Sequence, residues 1–468
     1  MNSTIDHLFQ QQREAFYKIP SIPIALRRRR LKELKKLLPN YLQPLREAMM
    51  KDFRKPAFEV DSTEMLVVLR SLDIALRNLN HWNTTRIVDS DILLPATSSY
   101  VKPEPKGMVL ILAPWNYPFN LCFEPLISAF AGGNRIFLKP SEMAMHTSKL
   151  IEEIIQKVFQ ADEVCCLQGG ADVGAYLSGL DFDHIFFTGS KRVGSLVMQA
   201  AAKKLCTVTL ELGGKNPVLV DKSYPLDDLV AKILHPKFLN AGQTCIASDY
   251  LILPASELDH FIERWNHKLA QWFPNEWKSK AEYSGMINEK HFDRILKLVD
   301  ECVQQGAKLE GTLDVDEKSL RIKPVLLLNS DFHHASMQEE IFGPVLPVIC
   351  YQNEVDELIP KIKRLERPLS LYIFSKRNSF IKKVTEHLRS GGITVNNTLL
   401  NYCESNLPFG GDKHSGHGST HGLNGFRTFV HLRSVSKQKS WLNILRLFYP
   451  PYTQTKQNIL KWILKYYS

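Results

Sequence analysis

From Gly107 onward the chain alternates apolar runs of about five residues with stretches of helical periodicity. The runs at 109–113, 135–138, 164–167, 184–187 and 208–210 are rich in β-branched and aromatic residues. Between them, 123–131, 147–159, 171–177 and 192–203 repeat apolar side chains at helical spacing. Strands joined through helices cannot pair as hairpins. The pattern therefore predicts βαβ units and a parallel sheet covered by helices on both faces. A second series runs from Asp227 to about Asn397, opening on a helix over 226–239. Its strand candidates are 250–253, 325–328, 346–350, 371–374 and 393–396. Gly213-Gly214 marks the boundary between the two series.

Ahead of this pattern, residues 1–82 read as helices over 24–38, 41–51 and 59–82. An extended segment, 87–105, follows and is broken by Pro95, Pro103 and Pro105. The glycine-rich stretch 404–425 reads as a long loop. A chain of 468 residues exceeds one core, so two or three domains are expected. The fold class is α/β, with a doubly wound, nucleotide-binding type of sheet followed by a second α/β unit.

Composition narrows the function. Hydrophobic and charged fractions of 44% and 23% are those of a globular protein, which excludes disordered and fibrous classes. The eight cysteines have no regular spacing and no CxxC pair, so a zinc-finger framework has no support. With no secretory signal pattern at the N-terminus, reduced thiols and a cytoplasmic location are expected. The net charge of +10 raises nucleic acid or a membrane as acidic partners. Its densest run, Arg27-Arg28-Arg29-Arg30, lies among leucines at helical spacing. The run therefore reads as the solvated side of an amphipathic helix, and no nucleic-acid partner is expected.

Four local patterns carry chemistry: Pro114-Trp115-Asn116-Tyr117-Pro118, Phe187-Thr188-Gly189-Ser190, Leu210-Glu211-Leu212-Gly213-Gly214-Lys215 and Gly242-Gln243-Thr244-Cys245. In this order and spacing they resemble the aldehyde dehydrogenase superfamily. Lys139-Pro140-Ser141-Glu142, Glu339-Glu340-Ile341-Phe342-Gly343-Pro344 and Leu407-Pro408-Phe409-Gly410-Gly411 extend the resemblance, which covers about Gly107 to Arg433. The short N-terminal region, Leu210-Glu-Leu-Gly-Gly-Lys-Asn-Pro217, Asn240-Ala-Gly-Gln-Thr-Cys245, His421-Gly…Gly425-Phe-Arg-Thr-Phe429 and Tyr449-Pro-Pro-Tyr452 are similar to the dimeric branch that includes fatty-aldehyde and coniferyl-aldehyde dehydrogenases. The resemblance implies a Rossmann-like NAD(P)-binding domain from 1–85 and 107–212, and a catalytic domain over 213–403. It also implies a small β oligomerisation extension from 86–106 and 426–445, and a homodimer.

The chemistry agrees with that resemblance. Oxidising an aldehyde to an acid needs a tetrahedral adduct from which hydride can leave, and a cysteine thiolate supplies one. Cys245, the thiol inside the family motif, is the expected nucleophile. Asn116, with the Cys245 backbone N–H, is the expected oxyanion donor. Glu211 ends an apolar strand, where a carboxylate is out of place unless it works. It is the expected base for thioester hydrolysis. A thioester handed to coenzyme A, or a non-catalytic protein on the same fold, are the alternatives. The first conflicts with a hydrolytic base, the second with the joint presence of Cys245, Asn116, Glu211 and Glu340.

For the cofactor, Gly189 and Ser190 precede a helix whose first turn offers free N–H groups to phosphate. By resemblance, Lys139 and Glu142 hold the adenosine ribose, Glu340 the nicotinamide ribose, and Phe342 and Trp115 pack beside the ring. NAD is the implied cofactor, with NADP also accepted. No metal is expected. His414, His417 and His421 read as loop histidines, although their clustering raises a metal site as the alternative. Gly410-Gly411-Asp412-Lys413-His414 departs from the family pattern, which leaves the substrate preference open. After Trp441, Leu442 and other apolar residues precede Pro450-Pro451, and in the tail (446–468) Lys456, Lys461 and Lys465 interleave with Trp462, Tyr466 and other apolar residues. It is too short and too basic to span a membrane. It reads as an amphipathic helix that packs on the subunit or its dimer partner, or makes peripheral contact with a membrane surface.

Overall fold

The computed structural model describes residues 2–91, 94, 97–274, 277–279, 282–439, 441 and 443–467. Pro95 of the extended segment and Leu442 of the tail lie outside the described residues. The first series of apolar runs forms parallel strands in the spatial order Thr207–Glu211, His184–Thr188, Met108–Leu112, Arg135–Lys139, Val164–Cys166. Every residue of Met108–Leu112 and Arg135–Lys139 is buried, as a parallel sheet covered on both faces demands. One face packs on Asn120–Gly132, Met145–Val158 and the helices Ile24–Leu37, Leu42–Phe53 and Leu66–Trp82. The other packs on Ala171–Ser178, Lys191–Ala202 and an N-terminal helix, Asn2–Lys18.

Strand order decides where the site falls. From Met108–Leu112 the chain moves outward to Val164–Cys166, then crosses back to His184–Thr188 on the other side. This reversal opens a crevice at the carboxyl ends of Met108–Leu112 and His184–Thr188, where doubly wound sheets bind ligands. Trp115-Asn116 and Gly189-Ser190 leave those two strand ends.

The second sheet has the order Lys308–Leu309, Val325–Leu328, Val345–Tyr351, Tyr250–Pro254, Pro217–Val220, Ser370–Phe374, Gly392–Val395. Only Lys308–Leu309 runs antiparallel within it. A third, antiparallel sheet joins Arg86–Val88, Thr97–Pro105 and Val430–Gln438.

Several expectations need correction. Asn2–Lys18, Pro217–Val220 and the amphipathic helices Leu258–Trp272 and Glu289–Gln304 were not anticipated as elements. Pro103 and Pro105 do not break the extended segment, because Thr97–Pro105 pairs with Val430–Gln438 along its length. Lys106 N–H donates to Phe429 O on the partner side. By strand alternation the two proline nitrogens face away, where no ladder donor is required. The stretch 404–425 is not all loop: Gly416–His417 pairs antiparallel with Glu211 and Leu210, and Gly422–Thr428 is helical. A Cβ on Gly416 would stand 2.0 Å from Leu210 O, so only glycine permits this strand.

The arginine run is not simply solvated. Arg27 is buried, donating to Ala131 O (2.7 Å), Asn83 Oδ1 (2.8 Å) and Ser21 Oγ (3.0 Å). Arg30 pairs with Glu163 at 2.8 Å. The tail helix Gln454–Tyr467 buries none of its residues fully; only Lys456 and Ile463 are half-buried. No described helix is long and apolar enough to cross a membrane.

Candidate active site

The loop that carries Cys245 is bent by three consecutive residues at positive φ: Asn240 (51°), Ala241 (51°) and Gly242 (72°). Left-handed backbone at non-glycine residues costs on the order of 1–3 kcal/mol each and persists only where surroundings enforce it. Here buried amides do so. Gln243 Nε2 donates to Asn240 O and Gly285 O, both at 3.0 Å, and its Oε1 accepts from Ile287 N–H. Asn240 Nδ2 donates to Asn116 O (2.8 Å) and Gln243 O (3.1 Å). Glycine is required at 242, where a Cβ would stand 2.5 Å from Gly343 O. Beyond the bend, Asn216 Nδ2 holds Cys245 O (2.8 Å) and Ala247 O (3.0 Å).

This loop brings Cys245, just ahead of the strand Tyr250–Pro254, against the carboxyl edge of the first sheet. Cys245 and Glu211 face one cavity of about 30 Å³, walled mainly by Leu121, Phe186, Leu369 and Phe409. That volume admits a water molecule. A larger cleft of about 280 Å³ lies beside Lys215 and Arg367 and includes neither Cys245 nor Glu211. Glu211 is 5% exposed, and neither carboxylate oxygen has a hydrogen-bond partner. Burial, then the charge of Glu124, holds its carboxyl well above the usual range. Burial also pushes the partly exposed Cys245 thiol up, with Glu340 and Glu211 adding to the effect. Asn116 is buried and spends one N–H of its amide on Gln243 O at 3.1 Å, which leaves the second for another acceptor.

The remaining predicted residues stand around the crevice. Lys139 and Glu142 are paired at 2.9 Å. Ser190 caps the helix Lys191–Ala202, accepting from Val193 N–H at 3.4 Å. Gly189 is tightly packed, since a Cβ there would meet the Phe187 ring at 2.6 Å. Trp115 meets the Phe342 ring edge-on at 5.4 Å. Glu340 folds over Gly213, where a Cβ would stand 2.1 Å from its Oε2, so that glycine makes room for the carboxylate. Its Oε1 has no hydrogen-bond partner, and burial, with Asp249 near by, lifts its carboxyl to about 8. Asp249 holds the segment in place by accepting from Ile341 N–H at 2.9 Å and pairing with Lys215.

Three features escaped the sequence reading. Behind the Cys245 loop, Lys55 and Glu64 form a fully buried pair at 2.7 Å. Lys55 Nζ also lies 4.0 Å from the Tyr117 ring centre, and the Tyr117 hydroxyl meets Thr244 Oγ1 at 2.7 Å. Glu59 Oε2 accepts from Asn240 N–H (2.9 Å) and Ser284 Oγ (3.0 Å). At the cavity wall, Glu124 sits beside His421 and Tyr402. Its signal was available: Glu124 is the one charged residue in the largely apolar helix Asn120–Gly132. His414, His417 and His421 do not gather; among the described residues no group of three or more His, Cys, Asp or Glu stands ready for a metal. Asp412, which departs from the family pattern, pairs with Arg367 at 2.9 Å.

The comparisons with known proteins agree with this geometry. The model of the aldehyde dehydrogenase family matches residues 1–435. The 4,4'-diaponeurosporen-aldehyde dehydrogenase of Staphylococcus aureus is 39% identical over 430 residues, covering 92% of this chain and 93% of that protein. The dimeric NADP-preferring aldehyde dehydrogenase of Mus musculus is 37% identical, covering 92% of this chain and 94% of that protein. The substrate-bound structure of Staphylococcus aureus AldH superposes with a TM-score of 0.93 at 37% identity and covers 99% of both chains. The chain belongs to the aldehyde dehydrogenase family and is an NAD(P)-dependent aldehyde dehydrogenase.

Proposed function

We propose that the chain oxidises apolar aldehydes, of medium or long aliphatic or aromatic type, to free carboxylic acids through a covalent adduct on Cys245. The observation that carries this is the shared cavity, apolar in most of its wall, with the thiol and an unpartnered carboxylate facing it. In this reading the Cys245 thiolate adds to the aldehyde carbon and gives a thiohemiacetal. The second N–H of Asn116 and the Cys245 backbone N–H donate to its oxyanion. Glu211 then takes a proton from a water, the hydroxide adds to the thioester carbonyl, the C–S bond breaks and the thiolate leaves. A carboxylate whose proton affinity has been raised is the stronger base once ionised.

The residues of the crevice fit a nicotinamide dinucleotide. Ser190 stands at a helix N-terminus suited to phosphate, and the orphaned Glu340 Oε1 is an acceptor suited to a ribose hydroxyl. Lys139 and Glu142 are assigned to the adenosine ribose, Trp115 and Phe342 to the ring; Glu142 would favour NAD by repelling a 2′-phosphate, with NADP also used. The bound nicotinamide supplies the hydride acceptor that turns the adduct into the thioester. We assign cofactor binding to 1–85 with 107–212, and the nucleophile to 213–403.

A homodimer is proposed in which the three-stranded sheet and the tail meet a second copy. Ile87 at 83% and Trp441 at 75% exposure support a covered face there, as does the relative named dimeric. The tail, whose Trp462, Leu464 and Tyr466 are exposed beside Lys461 and Lys465, also suits peripheral contact with a membrane surface. Glu211→Gln tests the mechanism: one burst of NADH per site, then a stall at the thioester, while Cys245→Ala gives no burst. Full steady-state turnover in Glu211→Gln removes Glu211 from its role.

A further inference from the structure

Glu124 lines the same cavity as Cys245 and Glu211, yet no step of the reaction above uses it. It is a partly buried carboxylate, the one charged residue of a helix that is apolar but for Asn120 and Ser128. Three elements distant in sequence converge on it. Ser71 Oγ, from Leu66–Trp82, donates to its Oε1 at 2.8 Å. The Tyr402 hydroxyl, from Leu400–Cys403, stands 2.8 Å from its Oε2 and 2.8 Å from Asn120 Oδ1. His421 Nε2 stands 3.4 Å from its Oε2.

His421 is itself an unusual residue. It is buried, holds a φ of +76°, and stacks on Phe409 (5.2 Å) and edge-on to Tyr402 (4.7 Å). Its Nδ1 has no hydrogen-bond partner, and its Nε2 meets only the Glu124 carboxylate, at ion-pair distance. A non-glycine residue held in the left-handed region marks a place where the surroundings enforce a conformation, and such places cluster at functional sites. Here the enforced conformation puts an imidazole against the one carboxylate of the cavity wall that hydrogen bonds hold in place.

We propose that Glu124 is a positioning residue of this active site: an anion built into the cavity wall that sets the pH at which Glu211 loses its proton and becomes able to activate water. Burial raises the Glu124 carboxyl, but His421, Tyr402 and Ser71 outweigh it and hold Glu124 below the usual carboxylate range. Glu211 has no such donors, and the negative charge of Glu124 raises it further. Two carboxylates sharing one cavity do not ionise together without cost, so the one with donors keeps the charge and its neighbour keeps the proton. The titratable groups that face this pair are His421, Tyr402 and the Cys245 thiol. The inference rests on Glu211 being the deacylating base.

The test is the pH dependence of steady-state turnover, beside the size of the NADH burst. Glu124→Gln removes the charge while its amide oxygen still accepts from Ser71 or Tyr402. The acid limb of kcat should move down by about one pH unit, with the burst retained. An acid limb that stays in place in Glu124→Gln overturns the proposal. If that variant does not fold, an unmoved limb in Glu124→Leu, which removes the same charge from a largely apolar helix, does so. Tyr402→Phe leaves Glu124 charged and should leave the limb where it is; a limb that moves down as far as in Glu124→Gln would overturn the assignment of the effect to the Glu124 charge. Failure of the underlying reading looks different, because Glu211→Gln would then turn over normally and keep the limb.

Discussion

Glu59 is the buried carboxylate that anchors the nucleophile loop, and its environment makes a measurable demand on stability. Burial, opposed only in part by Lys55 and by hydrogen bonds from Asn240 and Ser284, lifts its carboxyl from 4.5 to about 7. Ionising it in the folded protein is therefore harder by roughly 3 kcal/mol, at about 1.36 kcal/mol per pH unit. Because the folded value lies above the unfolded one, this contribution to stability is fully present below about 4.5 and is lost as pH rises through about 7. About 2.5 kcal/mol of it falls between about pH 5 and about pH 8. Glu340, lifted to about 8, and Glu211 push the same way and remain in the variant. Glu59→Gln keeps an oxygen that accepts from Asn240 and Ser284 but does not titrate. Urea unfolding followed by tryptophan fluorescence, at fixed protein concentration, should show the fall in stability between those two pH values shrink by roughly 2.5 kcal/mol in the variant. A constant offset from repacking cancels in this difference. Parallel falls in the two proteins would refute the account of Glu59 as a buried, proton-retaining anchor.

Asn116→Ala should lower the rate of the NADH burst by ~10²–10³, the usual cost of losing one oxyanion donor. Cys245 alkylation at an unchanged rate would show the loop still in place, and an unchanged burst would take the oxyanion away from Asn116. Deleting residues 441–468 should abolish co-sedimentation with vesicles containing anionic lipid, since the exposed tail helix carries the lysines and aromatics. Undiminished sedimentation would remove the tail as a membrane contact.

Sequence alone determined the elements and the chemistry that depend on neighbours along the chain. Hydrophobic period is a local property, so the strands at Met108–Leu112 and His184–Thr188 and the helix Met145–Val158 were legible to within a few residues. Cys245, Glu211 and Asn116 could be singled out as candidates because each sits in a short motif of telling residue type and order, and the structure puts Cys245 and Glu211 on one cavity. Pro217–Val220 was missed because four apolar residues that follow a motif carry no period of their own. Arg27 was misjudged because its acceptors lie on Ala131, Asn83 and Ser21, two of them far along the chain. Only tertiary structure decided the electrostatics of the site. Glu59 reaches Asn240 across 181 positions, and Glu124, in an early helix, meets His421 from near the end of the chain. A carboxylate's proton affinity depends on what surrounds it in space. Whether Glu211 holds its proton while Glu124 gives one up is therefore set by the fold.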